Sequence, residues 1–370
     1  MALGSIADVV TEPFSGSYDP TDVTFLLKPC EIVATPLEEK ERLIQSGARH
    51  YSEMLSAERL PDERYMSLYR EALHRNAGRL RMDVAALARS IADRPETRRE
   101  CVLISLARAG TPIGVLLKRA LERLGVIAHH YSISIIRDRG IDRNALAFVA
   151  SRHGAAAALF VDGWTGKGTI KAELVRFLQG DSLGFSPFLA VVADPAGRAD
   201  LAATAEDYLI PSGLLNGIVS GLISRSVLRD DLVGPGDFHA CLYQSEHADW
   251  DLSRAFISAI EAAAPSNAAT SGRWTPEVAA VSRTSSTEMT RDLMRQTGVG
   301  DVNRIKPGIA EATRAMLRRV PDQLFVRDRG DSEVRHLLHL ASQSGVPVQE
   351  RDLQCYRAVT VIKSLGESQE

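Results

Sequence analysis

Cysteine is scarce: the 370-residue chain has four, at positions 30, 101, 241 and 355, with no Cys-x-x-Cys pair. That scatter offers no disulfide framework for so large a chain and disfavours a zinc ribbon, so reduced thiols in a cytoplasmic setting are the expectation. Net charge is nearly absent as well, at −3 from 44 basic and 47 acidic residues, which excludes a global field aimed at nucleic acid or a membrane surface. No run approaches the ~18 apolar residues of a spanning helix. The opening MALGSIADVVTEPFSGSYDP meets acids and a proline early and lacks a basic start, so it does not read as a signal peptide. No tandem repeat is visible. What is there, 45% hydrophobic and 25% charged residues, is the composition of a soluble globular protein long enough for two domains.

Apolar spacing between Pro36 and Ser90 predicts two or three amphipathic helices, with another over Arg79 to Ala92 stopped by Asp93-Arg94-Pro95. Strands then alternate with helices: strands over 101–106, 128–136, 156–161 and 188–192, and helices over 111–124, 143–152 and 170–178. Such alternation predicts right-handed crossovers and a parallel sheet covered on both faces, an α/β fold. The stretch 209–233 reads as a helix with turns, and AAAPSNAAT, residues 262–270, as the best linker. The expected organisation is a first domain over 1–265 with its sheet core near 100–200, a linker over 266–285, and a smaller α/β domain over 286–370.

The candidate site begins with VDGWTGKGT, residues 161–169, directly after an apolar strand. Glycines let a backbone close around a phosphate, and free amides at a helix start favour anions. Thr165, Gly166, Lys167, Gly168 and Thr169 therefore read as a phosphate cradle, against the plainer reading of a turn that caps a helix. Lys167 discriminates, because a mere turn has no use for it. The spacing fits neither a Walker loop nor a dinucleotide fingerprint.

The stretch resembles the phosphoribosyl-pyrophosphate (PRPP) loop of type I phosphoribosyltransferases. SLARAGTPIG, from Ser105, resembles that family's pyrophosphate loop, about 50 residues upstream and in the right order. On this resemblance Arg108, Ala109 and Gly110 contact pyrophosphate. Asp162, with Gly163 and the loop that follows, holds the ribose and the 5′-phosphate. Arg137 and Arg139 sit where a mobile loop closes over the departing group, and Mg²⁺ accompanies PRPP. The family usually has two adjacent acids where this chain has Asp162 followed by Gly163, so a binder without turnover stays open. Over nearly the whole length, SGSYDPTDVTFLLK, HYSISIIRDRGID, LFVDGWTGKGTI and DYLIPSGLLNGIVSGLISR are similar to the bacterial phosphoribosyltransferase-like family called StiP, found beside tellurite-resistance and stress genes. Residues from IKPGIAEATRAMLRR to LLHLASQSGVPVQE resemble the Pelota-type RNA-binding domain.

The resemblance implies a Mg²⁺-dependent enzyme that uses PRPP, with an unknown acceptor in a pocket drawn from Asp194, Ser212, Asn216 and His239. Ser212 reads equally as a helix N-cap. RNA contact would fall to Lys306, Arg314 and Arg318, against the alternative of an ordinary solvated helix face. StiP proteins are also described as cysteine proteases; here Cys241, two residues after His239, is the nucleophile to weigh, although it reads more readily as a small core residue. Relatives often dimerise, yet no stripe in this chain dictates it.

Overall fold

Six parallel strands form the central sheet in the order Thr24–Leu26, Ile127–Ile133, Glu100–Leu106, Ala158–Trp164, Leu189–Ala193 and Leu201–Thr204. The computed structural model describes residues 14–266 and 272–364. Alternation along the strands sends Cys101 and Leu103 to one face and Val102 and Ile104 to the other. The first face packs on helices Glu63–Ala92, Gly110–Arg123 and Ser253–Ala262, the second on helices Arg143–His153 and Thr169–Leu178. The α/β class with a covered parallel sheet is as the strand–helix alternation implied.

Several local readings change. Helix Glu63–Ala92 is continuous over 30 residues, capped by the Asp62 carboxylate, which accepts from the Tyr65 amide at 2.7 Å. The segments read as separate helices merge because no proline interrupts the run from Tyr65 to Ile91, and its one glycine, Gly78, is where the helix packs against the Ala264 carbonyl. Residues 209–233 form only two short 3₁₀ turns, at Pro211–Leu214 and Gly217–Val219, since glycines at 213, 217 and 221 interrupt any helical run. Much of the segment read as a linker is helix Pro276–Thr297, started by Thr275 as N-cap with proline at its first position and burying Ala279, Met289 and Leu293. Residues 267–271 of that linker lie outside the described residues.

The C-terminal unit is a four-stranded mixed sheet in the order Ile305–Pro307, Ala358–Ile362, Pro321–Val326 and Val348–Glu350, with helices Ile309–Arg318 and Arg335–Ser344. It docks on the first unit through buried polar groups. Asp207 accepts from the Ile309 amide at 3.0 Å and the Arg357 amide at 2.8 Å, so a carboxylate of the first unit caps a helix of the second. Conversely, Glu333 accepts from the Leu209 amide at 2.6 Å, from Asn76 and from Arg75. Arg319 makes a two-pronged pair with the fully buried Glu41.

Asp207→Ala removes a helix cap and leaves two buried amides unpaired; it is expected to lower unfolding stability by about 1–3 kcal/mol in urea denaturation. Loss of less than about 0.5 kcal/mol would show that the seam does not depend on this cap.

Candidate functional site: a basic cleft between the two units

Along the sheet, strand order reverses between Glu100–Leu106 and Ala158–Trp164, because the chain steps from the first of these to Ile127–Ile133 on one side and returns to the other. Loops leaving the carboxyl ends of strands at such a reversal diverge and leave a crevice. Both candidate loops are these two loops. The Arg108 loop runs into helix Gly110–Arg123, and Gly110 lies so near the neighbouring strand that a Cβ would stand 2.4 Å from the Val161 carbonyl. The glycine loop opens helix Thr169–Leu178, with Gly168 in the left-handed region at φ 84°.

Arg108, Ala109, Asp162, Thr165, Gly166, Lys167, Gly168 and Thr169 all line one cleft of about 1560 Å³. Twelve lysines and arginines line it against six acids, whereas the chain as a whole has slightly more acids than bases. The basic character is therefore local. Burial drives the Lys306 ammonium down to about 7, with Lys167 next to it adding to the fall, and burial holds Lys167 at about 8. Lys40 is likewise held at about 7 by burial and then by Arg225. Each side chain is a cation short of counter-charge. Burial also raises the Asp162 carboxyl to about 6, although it accepts from the Gly163 amide at 2.8 Å and faces Arg314.

Some of this charge is already engaged. Arg108 is buried, donating to the Ile223 carbonyl at 2.6 Å and to Glu58. Lys167 donates to the Val302 carbonyl and, at 3.2 Å, to the Ile305 carbonyl, both in the C-terminal unit. Tyr356 donates to the Gly166 carbonyl at 2.6 Å. Glu311, on helix Ile309–Arg318, comes down on the glycine turn: a Cβ at Gly166 would meet its Cγ at 2.7 Å, and it pairs with Arg314 at 3.0 Å. Arg314 also lies over the Trp164 ring at 4.6 Å. An acid from the second unit thus occupies the mouth of the first unit's anion turn.

Other expected residues are placed elsewhere. Gly163 and Gly110 support the loops and do not line the cleft. Arg137 reaches the cleft and bonds Asn303 at 3.2 Å, but Arg139 turns away to Glu53. Asp194 is no acceptor group: fully buried, it takes hydrogen bonds from Thr165 Oγ1 at 2.5 Å, Trp274 Nε1 at 2.9 Å and the Arg198 amide at 2.8 Å, anchoring the glycine loop from behind. Ser212 caps nothing; it sits inside its 3₁₀ turn, beside a small hollow next to Arg108 and Asn216. Asn216 lines the cleft and accepts from Arg318. His239 lies away from the cleft, its Nδ1 2.8 Å from Ser134 Oγ. Lys306, Arg314 and Arg318, read from sequence as an RNA-facing set, line the cleft instead, because the helix carrying the two arginines is held between its own sheet and the first unit. Sequence reasoning missed Glu58, Glu311, Lys40 and Arg225. Glu311 and Arg225 lie within the stretches that carry the family resemblance but were given no role there, and Glu58 and Lys40 lie in none.

Cys241 is fully buried in a two-residue strand pair with Lys28–Pro29, and burial pushes its thiol far up. Cys101 and Cys355 are driven to about 12, and burial raises half-buried Cys30. None of the four thiols lines the cleft.

Fold and cleft define a two-unit α/β protein with a basic crevice roofed by its second unit. Residues 16–261 match the family described as tellurite-like stress resistance cysteine protease StiP, and residues 284–364 match the Pelota RNA-binding domain. A protein of Acinetobacter baylyi named cysteine protease StiP is 42% identical over 97% of this chain and 96% of its own length. The chain belongs to the StiP family. Among solved structures, the hypoxanthine phosphoribosyltransferase of Trypanosoma cruzi is similar at 20% identity and a TM-score of 0.25 over 33% of this chain and 74% of that one. An HGPRT-ase from Leishmania tarentolae in complex with GMP is similar at 14% identity and a TM-score of 0.22, over 37% of this chain and 78% of that one. Likeness at that level carries no argument. The expectation of a PRPP-using transferase is overturned: the family description and the 42% identical relative both name a cysteine protease.

Alkylation of the native protein should label Cys30 first and leave Cys101 and Cys241 unmodified until denaturant is added, as read by peptide mass spectrometry. Fast native labelling of Cys241 would contradict its buried placement.

Proposed function

We propose that this StiP-family chain is a non-catalytic receptor for a ribose-phosphate ligand, which it binds in the cleft between its two units. The observation that supports this most is the pair of under-compensated cations, Lys167 and Lys306, beside a glycine turn at the reversal point of a parallel sheet, with Lys40 lining the same cleft. A phosphate there meets free amides of the turn and supplies the counter-charge the lysines lack. Asp162 is placed to accept from a sugar hydroxyl. Mg²⁺, if it takes part, travels with the ligand, since among the described residues the cleft offers no group of three metal-binding side chains. The Pelota-type unit carries the RNA-binding role of its family, and Glu311 links it to the cleft. The chain works in the cytoplasm, a setting that suits four unpaired thiols. No helix among the described residues is long and apolar enough to cross a membrane.

Calorimetry with ribose 5-phosphate and with PRPP tests the reading. Lys167→Ala should weaken binding at least tenfold, and Glu311→Gln, which removes the competing acid, should tighten it. Absence of heat with both ligands would end the proposal. Because Lys306 and Lys167 lose their charge near 7 and 8, affinity should fall about tenfold between pH 7 and pH 9, a window in which the phosphate is already mostly doubly ionised. Affinity that holds or rises would exclude these two ammonium groups from the site.

A second reading is favoured by the relative's name: a thiol hydrolase through Cys241. In this structure such activity needs movement of the strand pair that covers Cys241, with Cys30 as the neighbouring, more exposed thiol. Peptide hydrolysis that survives in both Cys241→Ser and Cys30→Ser removes it, and loss in one variant alone identifies the nucleophile.

A further inference from the structure

At the amino end of the sheet, about 20 Å along the strands from the cleft, a second polar cluster has no part in the site above. Glu100 begins strand Glu100–Leu106, and His129 lies on the adjacent strand Ile127–Ile133. The register pairs Val102 with His129, so the two side chains share a face, and helix Arg143–His153 covers that face. This helix ends at Gly154, in the left-handed region at φ 69°, which leaves His153 as its last residue beside the other two.

Glu100 Oε1 stands 3.4 Å from His129 Nε2 and 3.5 Å from His153 Nδ1, and ligand atoms of all three lie within 4.8 Å of one another. Those separations are long for charge-assisted hydrogen bonds, which run at about 2.7–2.9 Å. The two carboxylate–imidazole separations are close to the edge of a tetrahedron with metal–ligand bonds of about 2.0–2.1 Å, roughly 3.3–3.4 Å. The two imidazole rings are tilted by 34° to one another, with centroids 4.2 Å apart. His153 Nε2 is held 2.8 Å from the Tyr131 hydroxyl, which leaves Nδ1 directed at the cluster. A second partner on the far ring nitrogen is how proteins orient a histidine ligand.

We propose that Glu100, His129 and His153 bind one borderline first-row divalent cation of the zinc class, with Tyr131 as the positioning residue behind His153 and the fourth position open to solvent or an external ligand. Two imidazoles and one carboxylate suit such an ion; magnesium and calcium prefer all-oxygen shells. Glu100 is 48% and His129 37% exposed, so an ion reaches the site from solution. Three protein ligands with an open position are the arrangement of an exchangeable or reactive centre, whereas a closed structural site has four.

The full chain, stripped with a chelator, is titrated with Zn²⁺ by calorimetry and with Co²⁺ by visible absorption. One equivalent should bind, and Co²⁺ should give the intense visible bands of a four-coordinate ion. His129→Ala and Glu100→Gln, both at partly exposed strand positions, should each weaken binding at least tenfold with an unchanged circular dichroism spectrum. Tyr131→Phe should weaken it about tenfold, as loss of an outer partner does. No binding by the parent chain, binding that persists unchanged in His129→Ala and Glu100→Gln, or a purely six-coordinate Co²⁺ spectrum would each overturn the assignment.

Discussion

The seam between the two units is held by acids that have left water to serve the other unit's backbone. Asp207 takes the first amide of helix Ile309–Arg318, and Glu333 takes the Leu209 amide. A buried carboxylate is costly unless every lone pair is used, and here charge-assisted bonds to amides, Asn76 and Arg75 use them. Because the contacts are polar and directional, they fix one orientation of the small sheet over the large one. Everything in the cleft follows from that orientation: which face of helix Ile309–Arg318 looks down on the glycine turn, and which cations are trapped beneath it.

Those trapped cations set the electrostatic character of the molecule. The net charge of the chain is close to zero, yet the crevice is basic, since acids elsewhere on the surface balance what the cleft concentrates. Low local polarity strengthens the effect and raises the cost of any lysine or arginine left unpaired. Arg108 pairs with Glu58, a residue of an irregular segment, and Arg318 donates to Asn216, yet a buried Nε of each arginine has no partner. An incoming anion offers counter-charge to these arginines and to the buried lysines alike.

Much of this was legible in the chain. The alternation of strands and helices between 100 and 193 and the two loops at strand ends required only periodicity and glycine chemistry, and the structure brings Arg108 and Lys167 to one hollow. What the residues did not disclose depends on which surface meets which. Lys306, Arg314 and Arg318 stood out as basic, but helical periodicity says which side of a helix is polar, not whether that side meets water or a second domain. Glu58 lies in no motif, and Glu311 sits in the Pelota-like stretch without a mark of its role. Asp194, next to Pro195 at a strand end, looks like a ligand group until its hydrogen bonds to Thr165 and Trp274 are seen. His239 and Cys241, neighbours in sequence, alternate along a strand-like stretch. The functional reading needed the comparisons as well, since two loops of this kind suit several chemistries and the family description names another.

The hold of Val302 and Ile305 on the glycine-loop lysine makes the two units share a single charge. A guest that draws that ammonium inward takes it from carbonyls across the boundary, and a pull on the outer unit returns it to the pocket. Occupancy of the crevice and the grip of the roof then become reciprocal quantities, each altering the other by the same free energy. On the proposed function, an anion in the crevice and the hold of the outer unit would thereby sense one another through one flexible side chain, with no movement of the main sheet.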